Sequence, residues 1–85
     1  EPVDVLIQDV ATRGQARVAR ENRRFLADDG RLLLAVKARS EDVTSAPETV
    51  FEDVLSTLEA DFEVLETERL DPLHEDHLAV VASPR

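Results

Sequence analysis

Cysteine, methionine, tryptophan and tyrosine are all absent from the 85 residues, and phenylalanine occurs three times. The lack of cysteine excludes disulfides, thiolate metal sites and cysteine nucleophiles together. No uninterrupted apolar run approaches the ~20 residues that span a bilayer, and no signal peptide opens the chain. No membrane role is expected. Internal repeats and low-complexity segments are also missing. The chain starts at Glu1 rather than a methionine, and we expect a piece of a longer protein. At 42% apolar residues it suits a folded chain, with at most one domain at this length.

Lysine is almost absent too. Ten basic residues face nineteen acidic ones, for a net charge of −9, and Lys37 is the one lysine among nine arginines. Such a surface stays hydrated where ions are abundant, and salt screens its self-repulsion. It fits a halophile's cytoplasm; chance in a short acidic chain is the alternative. The charge is unevenly placed. Residues 1–40 carry +2, residues 41–76 carry −12 and the last nine carry +1. One half can therefore face an anionic partner while the other stays solvated.

Residues 3–7 (VDVLI) form an apolar, β-branched run suited to a strand buried on both faces. Residues 15–27 turn helical, with Val18, Asn22, Phe25 and Leu26 on one face beside Ala19. Arg13, Arg17, Arg20 and Arg24 make a basic stripe on the other side, open to an RNA phosphate or protein scaffold. Equally, it can be a solvated face paired with Glu21 and Asp28. Gly30 suits a left-handed helix cap. Residues 31–36 (RLLLAV) give a second buried strand that delivers Lys37, and residues 38–44 a loop. Ser45 to Glu48 has capping-box spacing, with Pro47 in the first helical turn. Val50, Val54, Leu55, Leu58 and Phe62 follow as an amphipathic helical pattern. Residues 63–66 and 77–82 are the last strands, joined through a turn without a helix. The expected class is α/β, in the order β-α-β-α-β-β, with helices over the sheet faces. The final strands pair as a hairpin, or one of them inserts beside the second strand.

Open parallel sheets bind ligands at the C-terminal ends of their strands. Asp9 and Lys37 fall there. His77 joins them if the last strand runs antiparallel, and all three then converge. Each also has a plain role: Asp9 as a cap, Lys37 as a lysine reaching solvent, His77 as a structural histidine. A lysine beside a carboxylate can exchange a proton where arginine cannot. His74 and His77 with Asp71 or Asp76 fall short of a zinc set, and no metal is expected.

The runs DVLIQDVA (4–11), VKARSEDVT (36–44) and DPLHEDHLAV (71–80) resemble the fibrillarin family, more narrowly its archaeal fibrillarin-like rRNA/tRNA 2′-O-methyltransferases. The resemblance covers essentially the whole chain. It implies the C-terminal half of a Rossmann-like S-adenosylmethionine-dependent methyltransferase, with residues 1–85 as the C-terminal part of a single domain. The last strand would be inserted antiparallel between its two neighbours. Implied with it is methyl transfer from S-adenosyl-L-methionine to a ribose 2′-hydroxyl of rRNA or tRNA, selected by a box C/D guide RNA. A fibrillarin-binding scaffold protein and a kink-turn-binding protein complete the implied assembly. Asp9, Lys37 and His77 match the last three members of the family's Lys-Asp-Lys-His catalytic set. The first lysine and the glycine-rich cofactor loop have no counterpart in these residues. Asp9, Val10, Ala11 and Thr12 match the family's cofactor contact Asp-Val-Ala-Gln, with Thr12 in place of the glutamine. Gln15 fits a later glutamine. The rival expectations are a Rossmann methyltransferase with another substrate and a non-enzymatic α/β interaction module.

The acidic, lysine-poor surface predicts poor folding at low salt and recovery in molar KCl. Circular dichroism and thermal melting in both buffers check this, and equal behaviour in the two contradicts it.

Overall fold

Apolar runs and amphipathic stretches alternate along the chain, and that alternation is what the fold follows. The computed structural model describes residues 2–9, 13–42, 44–70 and 76–85. Its elements are β1 (Val3–Gln8), α1 (Gln15–Asn22), β2 (Leu26–Lys37), α2 (Ala38–Glu41), α3 (Pro47–Leu58), β3 (Phe62–Arg69) and β4 (His77–Pro84), with a 3₁₀ turn at Arg23–Phe25. The four strands form one sheet in the order β1-β2-β4-β3. β1 runs parallel to β2, while β4 runs antiparallel to both β2 and β3. The last strand is thus inserted between its neighbours.

The period-2 alternation in β2 sorts its side chains. Leu32, Leu34 and Val36 are buried, and they pack with Val80 and Ala82 of β4 against Ala16 and Ala19 of α1 and Val50, Phe51, Val54 and Leu58 of α3. Both helices therefore lie on the same face of the sheet. Right-handed crossovers that step the same way across a sheet leave their helices on one side. The expected cover on both faces is not found among the described residues. Ile7 is 71% exposed and Val5 51%, with Val3 and Leu33 also open.

Four local expectations change. α1 ends at Asn22, and its buried face is Gln15, Ala16 and Ala19, while Phe25 is exposed. The small alanines let the helix lie close to the sheet, and the 3₁₀ turn that follows swings Phe25 outward. Gly30 does not cap a helix: it lies within β2, where the β1–β2 register slips between Val3↔Leu26 and Val5↔Arg31. The capping box is not made either. Ala46 is the cap residue of α3, without a side-chain bond, and the Ser45 hydroxyl donates to Asp42 Oδ2 at 2.8 Å. Pro47 does open α3. Within the expected loop a short helix, α2, follows Lys37 directly.

The Arg stripe finds partners other than those expected. Arg20 pairs with Asp61 at 2.5 Å, and Asp28 pairs with Arg23 at 3.5 Å.

Gly30 is needed for close approach. A Cβ there would meet Leu26 Cδ1 at 2.6 Å, the Asp4 carbonyl oxygen at 2.8 Å and the Ala27 carbonyl oxygen at 3.0 Å. The leucine methyl can move, but the backbone oxygens cannot do so without disturbing the ladder. Gly30→Ala is expected to destabilise by about 1–3 kcal/mol, the usual range for overpacking. Thermal melting of the full-length protein in molar KCl reads this, and an unchanged midpoint contradicts the close approach.

Candidate active site

The antiparallel direction of β4 brings its first residue to the edge where β1 and β2 end. Lys37 closes β2 and is the register partner of His77. Asp9 follows the end of β1. Its carboxylate forms an ion pair with Lys37 Nζ. The Lys37 side chain is 19% exposed and that of Asp9 68%, so the amine is sheltered while the carboxylate reaches solvent. Asp9, Lys37 and His77 line a single cavity of about 220 Å³ with Ala35 and Leu70. The three residues expected to converge do converge. An apolar slot of about 300 Å³, lined by Ile7, Leu33 and Val81 among others, shares Asp9 and Ala35 with it. The site therefore continues along the uncovered face of the sheet.

The turn before His77 is fixed from the other side. Asp76 has a φ of 60°, a left-handed conformation that Asp tolerates better than most residues. Its carbonyl accepts from Ala38 N–H at 2.9 Å, and its carboxylate accepts from Arg39 Nε at 2.6 Å. Both donors belong to α2, directly after Lys37. The ends of β2 and β4 are thus held together by backbone pairing and by this clamp.

A larger cavity of about 330 Å³ lies beside the clamp, lined by Arg39, Asp42, Ser45 and Asp76 among others. Hydrogen bonds from the Thr44 and Ser45 hydroxyls, then from the Thr44 N–H, hold the Asp42 carboxyl down at about 2. Among the described residues this cavity has no lysine or histidine in its lining.

Two residues that chain order does not reveal complete the site's support. The Gln15 side chain is fully buried. Its Nε2 donates to the Lys37 carbonyl and its Oε1 accepts from the Lys37 N–H, each at 2.9 Å. Glu41 of α2 accepts from Gln15 N–H at 2.6 Å and from Gly14 N–H at 3.0 Å. It thereby caps the start of α1, where backbone donors lack helical partners and the helix dipole favours an anion. Glu41 is one of thirteen acids between residues 41 and 76, and no spacing marks it out.

Val10, Ala11 and Thr12, the expected cofactor contacts, lie outside the described residues, as do Asp71 and His74. Among the described residues no group of three or more His, Cys, Asp or Glu is placed to hold a metal ion. Among them, too, no helix is long and apolar enough to cross a membrane.

The chain matches the fibrillarin family over residues 1–85. It is 68% identical over its whole length to a fibrillarin-like rRNA/tRNA 2′-O-methyltransferase of Haloarcula marismortui, of which it covers 40%. Among solved structures, a chain of a fibrillarin/Nop5p complex is similar with a TM-score of 0.93 and 37% identity, over 100% of this chain and 41% of that one. Aeropyrum pernix fibrillarin, in complex with natively bound S-adenosyl-L-methionine, aligns with a TM-score of 0.76 and 43% identity, over 96% of this chain and 36% of that one. The chain thus spans about 40% of the length of the curated relative. A Rossmann-like half-sheet with Asp, Lys and His gathered at one strand edge and a family match from end to end lead to one conclusion: the chain belongs to the fibrillarin family.

Proposed function

We propose that residues 1–85 form the C-terminal part of a single methyltransferase domain that methylates a ribose 2′-hydroxyl of rRNA or tRNA. The observation that carries this is the gathering of Asp9, Lys37 and His77 around one cavity at the C-terminal edge of the sheet. S-adenosyl-L-methionine, when bound, supplies an activated methyl group on a sulfonium. Asp9 suits the cationic part of such a cofactor, since its carboxylate is an exposed acceptor at the strand end. Asp9 with Val10, Ala11 and Thr12 would form the cofactor contact.

The chain's own residues then manage the hydroxyl. A ribose 2′-hydroxyl is a poor nucleophile until its proton is accepted or its developing charge is stabilised. Lys37 meets that hydroxyl, as a neutral amine taking the proton or as an ammonium holding the negative charge. Asp9 fixes the direction of the Lys37 side chain through their ion pair. His77, across the β2–β4 ladder, supports the amine or relays a proton.

Target choice is assigned to a box C/D guide RNA, which suits an acidic protein with little means of reading bases itself. A Nop5-like scaffold protein and a kink-turn-binding protein are the proposed partners, in a high-salt cytoplasm. The similarity to a chain of the fibrillarin/Nop5p complex supports the scaffold.

The test uses the full-length protein with its partners and guide RNA in molar KCl, following labelled methyl from S-adenosylmethionine to target RNA. Lys37→Arg is expected to lower transfer by about 10²-fold or more with the fold retained, and a target lacking the 2′-hydroxyl to accept nothing. The pH–rate profile of kcat separates the two roles of Lys37. Methylation that survives removal of the 2′-hydroxyl contradicts the proposal and favours a methyltransferase of another specificity. Absence of transfer by the wild type favours an interaction module.

A further inference from the structure

The register of β1 with β2 ends at Gln8↔Leu34, three residues short of Lys37. Among the described residues Lys37 has no strand neighbour in the ladder on that side, and its backbone groups need partners. The Gln15 amide provides both, donating to the Lys37 carbonyl and accepting from its N–H. One side chain thus takes the place of a strand residue. We infer that Gln15 is a positioning residue, whose amide clamps the Lys37 backbone so that the amine is delivered to the reacting hydroxyl. This rests on the proposed function above.

Two features single out Gln15 among helix residues. It has no solvent exposure, so the two bonds are made without competing water. It is itself held at both backbone groups, with its N–H on Glu41 Oε1 at 2.6 Å and its carbonyl on Gln8 Nε2 at 2.8 Å. Gln8 is itself buried, so this bond too is sheltered from solvent. The chain Gln8–Gln15–Lys37, braced by Glu41, links the end of β1, the start of α1 and the end of β2. Those are the elements that carry Asp9 and Lys37.

Reaction rate is sensitive to small misplacements of a group at the reacting atoms, far more than binding is. The test is methyl transfer by the full-length protein in its RNA–protein assembly, with variants Gln15→Met and Gln15→Glu beside Lys37→Arg. Gln15→Met keeps the shape but cannot pair with the Lys37 backbone. It is expected to lower kcat about tenfold with KM for target RNA and for S-adenosylmethionine within about twofold. Circular dichroism at the assay temperature should match wild type. Gln15→Glu adds a pH readout. As a protonated acid, Glu at this position can donate to the Lys37 carbonyl and accept from its N–H, whereas as a carboxylate it presents only acceptors. The charged groups on the neighbouring elements are Glu41 on α2 and the Lys37–Asp9 pair at the ends of β2 and β1. Burial and Glu41 favour the acid. The activity of Gln15→Glu relative to wild type is therefore expected to rise several-fold from about pH 8.5 to about pH 6, while that of Gln15→Met stays flat.

Wild-type kcat in folded Gln15→Met overturns the inference, as does a kcat loss that only tracks lost helicity. If Lys37→Arg is inactive while Gln15→Met is fully active, the inference alone fails. If Lys37→Arg retains full transfer, the proposed function fails with it.

Discussion

The insertion of β4, antiparallel, between β2 and β3 is the constraint on which the rest of this structure depends. A strand added parallel at that place would begin at the far end of the sheet and carry His77 away from Lys37. Running the other way, β4 starts where β2 stops, so His77 becomes the register partner of Lys37 and Asp76 reaches the first residues of α2. The same arrangement buries Leu78, Val80 and Ala82 against the helices. One topological choice therefore supplies both the centre of the core and one wall of the site.

Around that wall, polar contacts are concentrated where the strands end. β1 stops pairing at Gln8, α1 begins at Gln15 under a carboxylate cap from Glu41, and β2 ends at Lys37 on the Gln15 amide. The parts that carry Asp9 and Lys37 are thus tied to each other through side chain to backbone bonds as well as through the sheet. Glu63, Glu66 and Glu68 stand exposed on β3, at the sheet edge opposite β1. Ile7 and Leu33 extend apolar surface from the site along the face without helices.

Much of this was legible in the order of residues, and the limits have physical reasons. The β-branched run before Asp9 and the apolar run before Lys37 are strands because their residue types suit a pleated, buried surface. The spacing of Val50, Val54 and Leu58 marks α3 equally well. Those patterns are local, and they place Asp9, Lys37 and His77 at one edge once the topology is known. The end of α1 was misplaced because Phe25 and Leu26 continue the helical spacing, while a 3₁₀ turn and the early start of β2 override it. Gly30 looked like a cap because glycine after two aspartates suits one; what it answers instead is the nearness of the Asp4 carbonyl. Gln15 and Glu41 act across 22 and 26 residues of chain, and no local spacing encodes a contact of that span. The family resemblance reached Gln15 as a matching glutamine but not its two bonds to the Lys37 backbone.

The most direct measurement is a structure of the full-length protein bound to S-adenosylhomocysteine and its target RNA, read at a single distance. Lys37 Nζ is expected within hydrogen-bond reach of the target 2′-oxygen, about 2.6–3.2 Å, with Asp9 on its other side. A Lys37 amine lying more than about 6 Å from that oxygen, beyond even a bridging water, with another side chain on the hydroxyl, would contradict it.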